Sequence, residues 1–66
     1  MDFMSYLDAA GTAFTTMSNA ALALAAAVAA DPQVPATIAY CTTQFNNAKT
    51  VFAGTQANID AYYGSL

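Results

Sequence analysis

The sequence predicts an all-α fold: a two-helix antiparallel hairpin, turned at a Pro-x-x-Pro segment and polymerising into a helical filament. Three observations carry that expectation. Phe3, Leu7, Ala10, Phe14, Met17, Ala21, Leu24 and Val28 recur at alternating steps of four and three, as do Ile38, Cys41, Phe45, Ala48, Phe52, Thr55, Ile59, Tyr62 and Leu66 at steps of three and four. Helices carrying such apolar seams pack seam to seam. Between the seams stands Asp31-Pro32-Gln33-Val34-Pro35, too short for anything but a reversal. Finally, only 8% of the residues are charged, against roughly a quarter in ordinary soluble domains. The faces away from the seams are Ala, Thr, Ser and Asn rather than Lys and Glu, so a hairpin of this kind is expected to bury its outside as well.

Residues 1–66 are read as one domain. Helix 1 is expected over about residues 4–30. Asp2 or Ser5 can cap its start, and Asp2 complements the positive end of the helix dipole. Ala20 to Ala30 is a run of strong helix formers, while Gly11, with Thr12, Thr15 and Thr16 near it, marks a place where the helix can bend or begin late. Pro32 ends it, because the residue before a proline is pushed out of the helical region. The turn occupies residues 31–35, with Pro32 and Pro35 as its fixed points. Helix 2 is expected over about residues 36–63. Pro35 suits the first helical position, where its missing N–H costs nothing, and Gly64 suits the stop. Gly54, inside the helix, costs about 1 kcal/mol relative to Ala unless close packing requires it. At 1.5 Å per residue each helix would span roughly 40 Å.

Composition narrows the function. A chain of 66 residues buries only about 60% of its unfolded surface, so a two-helix core is marginal alone. Disulfides, metals or oligomerisation usually make up the difference. One cysteine and no histidine exclude an internal disulfide and a zinc site, which leaves oligomerisation, with no cofactor. The acids Asp2, Asp8, Asp31 and Asp60 face a single base, Lys49, for a net charge of -3. One Lys and no Arg exclude the phosphate neutralisation that nucleic-acid binding requires and a basic face for anionic membranes. Catalysis has no histidine base beside a nucleophile. Asp8 and Asp60 can approach across the hairpin, but helix-end solvation is their simpler role, so the chain is not read as an enzyme. The start, Met1-Asp2-Phe3-Met4, shows no positive n-region and no cleavable signal peptide; export would then need another route.

Thr12 to Ala30 carries no formal charge and meets the length criterion for a membrane span. Its Thr, Ser18 and Asn19 and its reliance on Ala weaken that reading, because Leu, Ile and Phe drive insertion. Gln44, Asn46, Asn47, Lys49, Gln56 and Asn58 argue against a second span in helix 2. Cys41, on the seam, is read as a small buried hydrophobe, with a reactive or crosslinking thiol as the rival. Pro32–Pro35 matches a bare PxxP ligand pattern but has helical flanks, which favours a rigid turn. The polar groups around Lys49 would line a wet channel, join subunits, or form a solvated face. Tyr6, Tyr40, Tyr62 and Tyr63 suit an interface or the edge of a core. The small outer residues let helix axes approach closely, with Thr and Asn available to bond across the contact. A repeated heterologous contact between identical rods builds an open filament.

Asp31 to Tyr40 (Asp-Pro-Gln-Val-Pro-Ala-Thr-Ile-Ala-Tyr) resembles the Pro-x-x-Pro turn and opening of the second helix in subunits of type III secretion needles, and Ser5-Tyr6-Leu7-Asp8 is similar to the Gly-Tyr-Leu-Asp of some members. The likeness in architecture covers nearly the whole chain. Gln33-Val34 stand where needle subunits have Ser-Asp or similar pairs, and the chain is shorter and less charged; the Hrp-type pilus subunits of plant-associated systems share those two traits. The resemblance implies an extracellular tube at the cell surface, conducting unfolded effector proteins. It implies a homopolymer, a secreted protein cargo and a cytosolic chaperone before export. Carried over, it places Gln44, Asn47, Lys49, Thr50 and Asn58 on the channel wall and makes Ile59, Tyr62, Tyr63 and Leu66 assembly contacts. Two other classes stand beside it: a conjugative (type IV secretion) pilin or filamentous-virus coat protein, and a small membrane-active peptide. Whether lipid belongs to the assembly is left open.

Overall fold

The structure, a computed structural model, describes residues 2–66; Met1, where the export reading begins, lies outside them. Helices α1 (Phe3–Ala29) and α2 (Pro35–Gly64) pack against each other as a hairpin, with no strand among the described residues. The rod measures 52 × 14 × 13 Å and its radius of gyration is 15.2 Å, where a compact chain of this length would have about 11 Å.

Each end has a local cause. The Asp2 carboxylate accepts a hydrogen bond of 2.8 Å from the Ser5 N–H, capping α1. That same bond, made by the charged form, holds the Asp2 carboxyl below its ordinary range. The helix runs through Gly11 without a break or late start. At its other end the Gln33 side-chain amide turns back and donates to the Val28 carbonyl, covering one of the last unpaired acceptors. Pro35 opens α2, as its lack of an N–H allows, and the Val34 carbonyl accepts from the N–H groups of Thr37 and Ile38. Both helices lie within a residue of the expected bounds. The stop differs: Gly64 is the last helical residue and adopts no left-handed backbone. Ser65 ends the helix instead, its hydroxyl donating to the Tyr62 carbonyl at 2.7 Å.

The α2 seam lies where its spacing puts it. Ile38, Cys41, Phe45, Phe52, Thr55, Ile59 and Tyr62 are half-buried around the buried Ala48, while Leu66, beyond the helix, is 84% exposed. The α1 seam keeps Phe3, Ala10, Met17, Ala21 and Leu24 of the expected one and is shifted by one residue at the alternate positions. Ala10, Ala13 and Ala27 are buried and Phe3, Tyr6, Met17 and Leu24 half-buried, but Leu7, Phe14 and Val28 stand outside. Large side chains already fill the α2 side, so the opposing surface packs best with small ones. The helix therefore presents alanine, and Phe14 reaches round the edge to the Phe52 ring at 5.8 Å between centroids. Among the described residues, four alanines make up the buried set and no side chain is fully enclosed.

Candidate functional site

With so little enclosed, the functional surface is the outside of the hairpin, and its two flanks differ. At 3.6 residues per turn, Asn47 and Lys49 project about 100° to either side of the buried Ala48. The Asn47 side is a groove of about 590 Å³ running between the helices, walled by Asp8, Thr12 and Thr16 of α1 and by Gln44, Asn47 and Val51 of α2, with Ala13 and Ala48 at its floor. The Lys49 side is a ridge. There the Lys49 ammonium stands 5.6 Å from the centroid of the Phe45 ring, within the range of a cation–π contact. Phe14 and Leu7, 54% and 41% exposed, continue this ridge toward the open end.

The open end of the hairpin is closed by aromatic contacts. Phe3 stacks on Tyr62 at 4.7 Å and meets the edge of Tyr63 at 5.2 Å; Tyr6 meets the Tyr62 ring edge-on at 6.4 Å. Offset and edge-to-face pairs of this kind are favourable beyond the area they cover.

These positions sort the expected site residues. Gln44 and Asn47 share the groove, and Asn58, one residue before the seam position Ile59, falls on the same side. Lys49 is on the opposite flank, and Thr50, two residues past Ala48, faces away from α1. The five channel candidates are therefore spread over three faces of α2, which a single wall does not take together. Among the assembly candidates, Ile59 and Tyr62 are half-buried against α1, whereas Tyr63 and Leu66 are 58% and 84% exposed. Tyr6 and Tyr62 thus serve the hairpin, Tyr63 touches Phe3 from a largely exposed position, and Tyr40 remains outside. Cys41 lies half-buried on the seam beside Ile38 and Phe45. Asp8 walls the groove and Asp60, one residue past Ile59, lies on the ridge side, so the two carboxylates do not face each other. Pro32 and Pro35 are exposed in and beside the turn. Among the described residues no group of His, Cys, Asp or Glu is arranged to hold a metal.

Sequence reasoning missed the groove, because its α1 wall belongs to the side that the expected seam left outside. Five threonines bond within the hairpin. The hydroxyls of Thr15, Thr16, Thr42 and Thr50 donate to the carbonyl four residues back, at 2.8–3.1 Å, and that of Thr55 to the Phe52 carbonyl at 2.6 Å. Those hydroxyls are engaged within their own helices rather than aimed at a neighbour. Fold and surface together define a class, the open helical hairpin with its apolar side chains uncovered. Comparison with protein-family models, with curated proteins and with solved structures finds no match.

Proposed function

We propose that this chain is the structural subunit of an extracellular helical tube of the type III secretion needle or Hrp-type pilus kind, conducting unfolded effector proteins. The observation that carries the reading is where the hairpin leaves its large apolar side chains. Met4, Phe14, Leu22, Val51 and Tyr63 are each more than half exposed, and they lie on both flanks, on the back of α1 and at the open end. Isolated apolar residues on a surface need no explanation, but uncovered ones on three sides of a rod this thin do. Neighbours on several sides account for them, and a lattice of identical rods provides such neighbours. The subunit's folded surface of 4528 Å² exceeds the roughly 4,000 Å² of a compact monomer of its mass, leaving more of it to be covered by contacts. The face of α2 turned away from α1, where Asn46 and Thr50 stand, carries no charged side chain, and Lys49 and Asp60, the only base and the only acid of that helix, lie on its flank. A wall so poor in charge gives a passing unfolded chain little to hold.

Negative-stain microscopy of the detergent-free protein at rising concentration tests this reading. Uniform thin tubes are expected. Ala23→Glu and Ala57→Lys, both at exposed alanines, should abolish them while leaving the monomer helical by circular dichroism. Normal tubes from both variants would refute the assembly reading.

One observation favours a second reading. α1 is long and apolar enough to cross a membrane, and little of it is covered by α2. A pilin or coat subunit that waits in the bilayer before assembly would have such a helix. Retention in the lipid fraction after carbonate washing separates it from the first reading.

A further inference from the structure

We infer that the groove on one flank is the seat for the opposite flank of a second copy, locked by an ion pair between Asp8 of the first copy and Lys49 of the second. This deepens the assembly reading and rests on it. The chain has one base, held on the ridge beside the Phe45 ring, and the groove has one acid, Asp8. The two charges lie on opposite flanks of the rod, so neither neutralises the other within one hairpin. A neighbour set side by side in the same orientation brings ridge to groove, and unlike charge to unlike charge.

Register follows from the pairs that align the helices. Phe3 lies level with Tyr62 and Phe14 with Phe52. Lys49 is therefore level with residues 16 and 17 of α1, eight or nine residues from Asp8, or about 13 Å along the rod. Pairing the charges thus requires the second copy to be displaced by that distance toward the open end. The displacement has a second effect. Phe45 lies one helical turn from Lys49 toward the loop, so its ring comes opposite Thr12, midway along the groove. The Ala21 stretch of the second copy's α1 lies alongside, and its small side chains permit close approach. An ion pair covered by such a contact is screened less than a free one.

The contact is heterologous, since different flanks meet, and it contains a translation along the rod. Repetition of an operation that includes an axial rise never closes, so it generates a filament and not a ring. With groove and ridge both covered, Gln44 and Asn47 belong to the subunit contact. The face of α2 turned away from α1, where Thr50 stands, is then the one left for a lumen.

Charge reversal tests the pairing. Asp8→Lys carries two positive flanks and Lys49→Asp two negative ones, so each variant alone should need at least about tenfold more protein to assemble, because like charges meet at the contact. Mixed in equal amounts, they should co-assemble near the wild-type concentration as an alternating polymer, and the double variant should assemble by itself. Sedimentation and microscopy read both. Unchanged assembly of the single variants, or failure of the mixture to recover, overturns the pairing while wild-type tubes leave the filament reading standing. Recovery in the mixture of short oligomers only, where the wild type also stops short, upholds the pairing and removes the tube. A wild type that sediments as monomer throughout removes both.

Discussion

Replacing Tyr62 by alanine should unfasten the open end of the hairpin. The ring stacks on Phe3 at 4.7 Å and meets Tyr6 at 6.4 Å, two contacts that cross between the helices. Tyr62 is half-buried, so its lost burial costs about 1 kcal/mol. Each cross-helix aromatic pair adds about 0.5–1.5 kcal/mol. The total is about 2–4 kcal/mol, against roughly 3–10 kcal/mol for a folded chain of this length. Urea unfolding followed by far-ultraviolet circular dichroism, at a concentration where the protein is monomeric, measures it. The midpoint should fall with little change in slope. A double-mutant cycle with Phe3→Ala isolates the stacked pair. A Tyr62→Ala loss under about 1 kcal/mol, or additive losses for the two substitutions, would show that the aromatic contacts do not hold this end together.

Three further outcomes are expected. Gly54→Ala should stabilise the monomeric hairpin by up to about 1 kcal/mol, since an added Cβ meets nothing within 4 Å; a lower unfolding midpoint would contradict this. Ala13→Leu, at a position only 6% exposed on the α1 face against α2, should wedge the helices apart and cost about 1–3 kcal/mol, read by the same unfolding curve. Acid should loosen the start of α1: the Asp2 carboxyl is held below its ordinary value by its bond to Ser5, so the cap's contribution is present above the unfolded value of about 3.9 and is lost as pH falls through the lower folded one. Amide exchange at Ser5 and Tyr6 should rise over that interval, and Asp2→Asn should flatten the response.

Much of the hairpin was legible because it depends on short-range rules. Asp2 as a cap, Pro35 as a first helical residue and the α2 heptad all follow from neighbours along the chain. The shift in the α1 seam did not, because two phases of its apolar pattern compete. Leu7 and Phe14 suggest one and Ala13 and Ala27 the other, and only the bulk of the opposing α2 side chains decides. That shift also creates the groove, so the flank with the clearest binding shape was hidden by the same ambiguity. Gln33 was equally opaque, since a glutamine in a turn shows its carbonyl partner only once the chain has bent back. The stop at Ser65 rather than at a left-handed Gly64 was missed because a glycine near a helix end permits that conformation without requiring it.

The inward bonding of the threonines has a mechanical consequence. A hydroxyl committed to its own helix presents its methyl group outward, so a surface that reads as hydrogen-bonding in composition is greasy in contact. Methyl against methyl has no preferred angle and no donor to strand when two surfaces slip by an ångström. Rods joined mainly in this way would shear past one another at small cost, held to one spacing by the few directional contacts they possess. A polymer of such subunits is expected to flex without breaking, and to settle into closely related helical pitches as temperature and salt change.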